Sequence, residues 1–373
     1  MEPFVHHVPT RVVAGPASVD KLGEEIARYP RKCLVVCGRR SARLSGLLER
    51  VVGQLEAARC ESVVFDEVEP NPSVDTIEDG AARARESRAR WILGVGGGSA
   101  LDAAKAIALM AVNQGDVRAF FNGLRPENEP FPVVAIPTTA GTGSEVTPYA
   151  VVTDVKEGDK FAFGLPSLFP RLAILDPALT VPMPEAVTID TGLDALSHAI
   201  ESYFSRRRSP CTDILAREAA ERIHSNLPLV RERPDDLEAR AQMQLAATMA
   251  GWAIADTATL APHAMGFPVT VRYDLPHGRA TVLLLPAFLA RLAEIDPVRV
   301  GRVGAWLGNR DDAPGALRSF IESLGVAPCL GAYGMREEDI EQFTRTAVGK
   351  KNIQNSPGSW PEDVLQEIYR DSL

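Results

Sequence analysis

Short apolar, β-branched runs alternate with amphipathic stretches along the first half of the chain. Runs at 11–14, 33–37, 62–65, 91–95, 133–136 and 150–153 read as strands. Between them, 16–27, 44–58, 74–87 and 99–112 carry the three-to-four-residue apolar spacing of helices, each near a Gly, Ser or Pro. Strand and helix in alternation predict a Rossmann-like parallel sheet wrapped by helices. After Asp176-Pro177 and Pro182-Met183-Pro184 the strand signals nearly vanish. Long helical segments follow at 192–205, 212–226, 236–256, 280–294, 298–307, 313–324 and 337–348. The pattern therefore predicts two domains: an α/β domain over 1–180 and an all-helical domain over 181–373. A ligand of the first is expected at the carboxyl ends of its strands, in a cleft facing the second.

Composition narrows the function classes. The 373 residues are 45% apolar and 24% charged, enough for two full cores. A net charge of −9 disfavours nucleic-acid binding, and the one dense basic run, Arg206-Arg207-Arg208, reads as a solvated loop. The five cysteines are scattered and form no Cys-x-x-Cys pair, which fits reduced thiols. The N-terminus has no apolar leader and no stretch reaches the length of a membrane span, so the expected location is the cytoplasm.

Two loops carry the composition of a nucleotide site. Gly96-Gly97-Gly98-Ser99 leaves a strand and enters a helix that holds Asp102 and Lys105. Glycines there allow close backbone approach, and a helix N-terminus favours a pyrophosphate. The run is neither Gly-x-Gly-x-x-Gly nor a P-loop, and by itself it also fits a plain tight turn. Pro137-Thr138-Thr139-Ala140-Gly141-Thr142-Gly143-Ser144-Glu145 follows a second apolar strand and gathers hydroxyls where sugar and base edges could be held.

The second half offers metal donors. Asp194 and His198 stand four residues apart in a helix-forming run, which stacks both side chains on one face. His263 follows in Pro262-His263-Ala264, and His277 in Pro276-His277-Gly278. From a second helix and a turn, these two could reach the same ion. Three imidazoles and one carboxylate suit Fe²⁺ or Zn²⁺ rather than Ca²⁺ or Mg²⁺. Histidines that never converge are the competing reading.

Taken in order, the glycine run with Asp102 and Lys105, the threonine turn, Asp194-x-x-x-His198-Ala199-Ile200-Glu201, and His263 with Pro276-His277-Gly278 resemble the iron-containing (group III) alcohol dehydrogenase family. The resemblance implies a dinucleotide-binding first domain, a metal-binding helical second domain, the architecture shared with dehydroquinate synthase, and hydride transfer between NAD(P)H and a small aldehyde or alcohol. It implies that Asp194, His198, His263 and His277 hold the metal, that Gly97, Gly98 and Ser99 hold the pyrophosphate, that Thr138, Thr139 and Thr142 contact the nucleotide, and that Lys160 reaches the nicotinamide ribose. Gly96, Asp102 and Ser144 belong to the same cofactor loops, and a homodimer is expected.

Two departures refine the expectation. Many relatives carry a second histidine four residues after the ligand matched by His263; here Phe267 stands there. This and the surrounding run look most like the phosphonoacetaldehyde reductase branch, which implies reduction of phosphonoacetaldehyde to 2-hydroxyethylphosphonate. Arg272, Arg279, Lys350 and Lys351 are then candidates for the phosphonate, and Tyr149, Ile254 and Phe267 for shaping the pocket. The second strand runs into Gly38-Arg39-Arg40-Ser41, without the carboxylate that NAD-preferring relatives place there. NADPH is favoured and NADH stays open. Competing readings are an enzyme for a simple alcohol, diol or hydroxy acid, a dehydroquinate synthase-like lyase, and a metal- and nucleotide-binding protein without turnover.

Overall fold

The computed structural model describes residues 3–121, 123–156 and 159–373. The chain divides into two compact units, one spanning Val8–Met183 and the other the chain from Pro184 to Leu373. Residues 3–7 group with the second unit, where His6 Nδ1 lies 2.5 Å from Asp256 Oδ2.

The first unit is built on β1 (Arg11–Ala14), β2 (Lys32–Gly38), β3 (Glu61–Val68), β4 (Ile92–Gly96), β5 (Val133–Pro137) and β8 (Leu172–Leu175). They form one sheet in the order β1-β8-β5-β4-β2-β3, every pairing parallel. Successive side chains point to opposite faces, so each inner strand feeds two cores. Leu34 and Val36 of β2 join one; Cys33, Val35 and Cys37 join the other. Burial on both faces explains why these strands read as continuous apolar runs.

Three expectations are corrected. The segment at 150–153 is a strand, β6 (Tyr149–Asp154), but it pairs antiparallel with β7 (Asp159–Gly164) outside the main sheet. Its buried residues alternate, as in a ribbon with one covered face. The helix expected at 16–27 is a 3₁₀ turn, Ser18–Lys21, and a four-residue helix, Leu22–Glu25, entered through Ala17 at φ 59°. The helix expected at 44–58 is broken by Gly46 at φ 70° into Ser41–Leu44 and Leu47–Ala57.

Strand order reverses between β2 and β4, and Cys37 stands beside Val95 in their register. Gly96 in turn stands beside Pro137 of β5. The three segments that follow, Gly38 to Ser41, Gly96 to Ser99 and Thr138 to Thr142, therefore leave neighbouring strands at their carboxyl ends. That reversal is where open α/β sheets bind ligands.

The second unit is helical, with no strand among the described residues after Leu175. Its helices start where the sequence supplies caps: Ser209 and Thr212 form a capping box, and Asp236, Asp296 and Asp312 each accept a first-turn N–H. The helix Glu185–Phe204 is buried from Gly192 to Phe204, which makes it the interior element of this unit. Among the described residues no helix is long and apolar enough to cross a membrane.

Candidate functional site

Asp190, Asp194, His198 and Glu201 share one face of the helix Glu185–Phe204, at steps of four, four and three residues. The helix Ala261–Tyr273 brings His263 to that face, and the helix His277–Val282 begins with His277. One donor atom each of Asp194, His263 and His277 lie within 4.8 Å of one another. His198 Nε2 and His263 Nε2 are each 3.9 Å from Asp194 Oδ1. Two donors about 2.1 Å from a shared ion stand at most about 4.2 Å apart, so both spacings fit one ion. The His198 and His263 rings stack at 4.8 Å, and His277 meets His263 edge-on at 5.1 Å.

The donors are in the right chemical state. Burial pushes His263 down to about 3, helped by His198, which keeps its imidazole neutral. Burial alone would raise the Asp194 carboxyl, but His198, His277 and His263 outweigh it and hold it below the ordinary value. His263 Nδ1 lies 2.5 Å from Glu201 Oε1, while Glu201 Oε2 accepts the Leu260 N–H at 2.6 Å. Burial pushes the Glu201 carboxyl up to about 8; in its ionised form it accepts Nδ1–H, which leaves the lone pair on Nε2 facing the cluster. Asp194 Oδ1 and His263 Nε2 are both buried and lack a hydrogen-bond partner. Buried polar atoms are rarely left so, and a divalent cation between them satisfies both. Asp194, His263 and His277 thus fit the metal that the sequence implies, while His198 lies against Asp194 but outside the group whose donor atoms all fall within 4.8 Å of one another.

Two features around this cluster were not read from sequence. A Cβ on Gly278 would lie 2.2 Å from the Asp190 carbonyl oxygen and 2.6 Å from Asp194 Cβ, so only glycine lets His277 approach Asp194. Arg279 Nε donates to Asp190 Oδ1 at 2.7 Å. The face shared by positions 190, 194, 198 and 201 was the signal that could have found Asp190 and Glu201.

The sheet unit assembles the cofactor candidates. Thr138 N donates to the Gly96 carbonyl at 3.0 Å. Gly96 has φ +148°, and a Cβ there would sit 2.8 Å from Ala100 Cβ. Cβ atoms on Gly97 and Gly98 would come 3.0 Å from Thr139 Cγ2 and 2.6 Å from Thr142 Cγ2. The two loops are therefore in contact, and their glycines are required by that contact. The helix Gly98–Met110 has no side-chain cap, so its first N–H groups suit an anion. Ser99 Oγ accepts the Asn71 N–H at 3.1 Å.

Asp102 and Ser144 sit behind these loops. Ser144 Oγ donates to Asp102 Oδ1 at 2.5 Å, and Val151 N donates to Oδ2 at 3.0 Å. Lys105, fully buried, donates to Ser144 Oγ and to the Tyr149 carbonyl, both at 2.7 Å. This network ties the glycine helix to the threonine turn and to β6. Lys160, opposite Thr153 in the ribbon, is buried. Gly38 ends β2; Arg39 and Arg40 are exposed, and Ser41 opens a short helix. Arg39 Nε donates to the Glu67 carbonyl at 3.0 Å, with Glu69 3.9 Å from its guanidinium.

The substrate candidates separate. Phe267 stacks on the His277 ring at 5.2 Å with 9° between planes, and Lys350 Nζ lies 5.2 Å from the Phe267 ring centre. Arg279 is engaged by Asp190, while Arg272 and Lys351 are exposed. Ile254 is buried in the helix Leu237–Thr257, and Tyr149 packs over Gly164 in the ribbon.

Comparison with known proteins accounts for both units. Residues 9–177 match iron-containing alcohol dehydrogenase, and residues 188–373 match the C-terminal part of the Fe-containing alcohol dehydrogenase family. A 1-propanol dehydrogenase of Citrobacter freundii is 39% identical, covering 98% of each chain. An iron-containing alcohol dehydrogenase structure from Thermotoga maritima superposes with a TM-score of 0.92 at 36% identity, over 100% of this chain and 99% of that one. A sulfoacetaldehyde reductase from Bifidobacterium kashiwanohense, solved with NAD⁺, gives 0.91 at 29% identity over 100% and 99%. With matches over both halves and a donor cluster that fits a divalent metal, the chain belongs to the iron-containing alcohol dehydrogenase family of oxidoreductases.

Proposed function

We propose that this chain reduces a small aldehyde carrying an anionic tail, with phosphonoacetaldehyde as the leading substrate and NADPH as the hydride donor. The observation that carries the reading is the column Lys350, Phe267, His277: a cation held over a ring that is itself stacked on a metal-donor imidazole. It offers a two-carbon aldehyde a positive group one ring away from the donor cluster. The similarity to a sulfoacetaldehyde reductase, whose substrate name also describes a two-carbon aldehyde with an anionic tail, supports the same class.

A bound NADPH would supply the hydride to the carbonyl carbon, and solvent or a ribose hydroxyl the proton to the oxygen, so that the aldehyde would become the primary alcohol and the cofactor NADP⁺. A divalent metal bound by Asp194, His198, His263 and His277 would polarise the carbonyl. Phe267 has no exchangeable proton, so the proton comes from solvent or a ribose hydroxyl. Gly38 removes the carboxylate that would repel a 2′-phosphate, and Arg39 and Arg40 stand beside it. Lys160 is assigned to the nicotinamide ribose, and Tyr149 and Ile254 to the walls of the substrate pocket.

The test is a panel of phosphonoacetaldehyde, sulfoacetaldehyde, propanal and 3-hydroxypropanal with metal-loaded enzyme, each with NADPH and NADH. The proposal expects the highest kcat/KM with an anionic aldehyde and NADPH, and a shift toward NADH in Gly38→Asp. Higher kcat/KM with the uncharged aldehydes would instead support a simple alcohol or diol dehydrogenase, the reading favoured by similarity to 1-propanol dehydrogenase.

A further inference from the structure

His277 opens a helix of six residues, His277–Val282, whose N-cap is Pro276 and which has no side-chain cap. So short a helix does not hold itself in place in water. What fixes it is contact with the helix Glu185–Phe204. Gly278 lies against the backbone of Asp190 and Asp194, with no room for a Cβ. One residue further on, Arg279 donates to Asp190 Oδ1 at 2.7 Å, and both side chains are largely buried. Asp190 stands one helical turn before Asp194, about 6 Å along the axis. The ion pair therefore joins the residue two after one metal donor to the residue one turn before another.

We propose that the Asp190–Arg279 pair is a clamp that sets the distance between His277 and Asp194 and so tunes metal affinity. This assignment rests on the metal reading of the four donors and is independent of the substrate. Burying two charges costs desolvation, so the pair is a poor source of net stability; its geometric specificity is what it supplies. Arg279 also lies over the Tyr333 ring at 5.6 Å, which limits its freedom to swing away from Asp190. Arg279, expected from its place in the sequence among cations for a substrate anion, directs its charge instead to Asp190 on the metal-site helix.

The experiment measures Zn²⁺ affinity of the full-length apo-protein by chelator competition, and the visible spectrum of the Co²⁺-loaded protein. Variants are Arg279→Ala, Asp190→Asn, their combination and Arg279→Lys, with His277→Ala as reference. Arg279→Ala and Asp190→Asn should each weaken Zn²⁺ binding by about 10- to 100-fold. The double variant should be no weaker than either single, because one interaction is lost in all three. The Co²⁺ spectrum should move toward that of His277→Ala, and Arg279→Lys should recover part of the affinity. Thermal unfolding of the apo-variants verifies folding, and Arg279→Lys serves where truncation does not fold. Parental affinity and spectrum in Arg279→Ala, or additive losses in the double variant, overturn the clamp alone. A parent chain that binds no metal overturns the metal reading and the clamp together.

Discussion

Glu201 and His263 are joined at 2.5 Å across 62 residues of sequence, carboxylate Oε1 to ring Nδ1. The contact orients the imidazole and directs its other nitrogen toward Asp194. Glu201→Ala should lower metal affinity by about 10- to 100-fold, because the ring loses the group that fixes its tautomer. It should also destabilise the protein by about 1–3 kcal/mol, since the Leu260 N–H loses its acceptor. Glu201→Gln keeps an acceptor and should lose less of both. Metal content after dialysis against a chelator, together with Tm, checks this; parental metal content in the alanine variant would remove Glu201 from the site.

Gly278→Ala tests the closeness of two backbones. The atom nearest the added methyl would be the Asp190 carbonyl oxygen at 2.2 Å, so relief requires moving a helix. Overpacking of this kind costs about 1–3 kcal/mol. The expected result is a folded protein that retains little metal and loses turnover, with dinucleotide binding to the sheet unit unchanged. Full metal retention would show that the helix His277–Val282 can shift without losing its donor.

Lys105 should make dinucleotide affinity pH-dependent. Burial pushes its ammonium down to about 8, against the carboxylates of Asp102 on its own helix and Glu145 in the threonine turn, which favour the charged form. Above that pH the cation linking Ser144 to the Tyr149 carbonyl is lost, and dinucleotide Kd should rise by at most about tenfold per pH unit. Unfolding does not mimic this. The folded pKa lies below the usual value of about 10.4, so between the two the unfolded chain binds more protons and this group's contribution to stability grows with pH. Fluorescence titration from pH 6.5 to 9.5 should show a break near 8 in the parent and a weaker, flat response in Lys105→Met. The same break in both would assign it elsewhere.

Lys350→Ala isolates the anionic-tail reading. A charge-assisted contact contributes about 1.5–3 kcal/mol, so KM for phosphonoacetaldehyde should rise by about one to two decades. Turnover of propanal should stay within about twofold. Equal effects on both aldehydes would mean that Lys350 supports the pocket through Phe267 without meeting the tail.

Local spacing made part of this molecule legible. The placement of Asp194 and His198 on one helix face follows from a four-residue step, and the inner strands from apolar runs buried on both faces. The roles of Asp190 and Glu201 on that helix were not legible, because they arise only where Arg279 and His263 return to the same face. β8, Leu172–Leu175, was not among the strands read from the sequence. β6 was recognised as a strand but assigned to the wrong sheet; its alternating burial belongs to an antiparallel ribbon. Of the four cations offered to the substrate, sequence could not separate Arg279, turned to Asp190, from Lys350, held over Phe267.

The interlock of Gly97 with Thr139 and of Gly98 with Thr142 has a consequence for how such a fold can change. Each glycine fills a space shaped by a threonine some forty residues later, so the two loops cannot be redesigned one at a time. A side chain added at 97 or 98 has to be matched by a smaller residue at 139 or 142. Transplanting a different phosphate-binding loop onto β4 would fail unless the turn after β5 travelled with it. The inheritable module is the pair of loops, and sequence drift across related chains should show these positions changing together or remaining fixed.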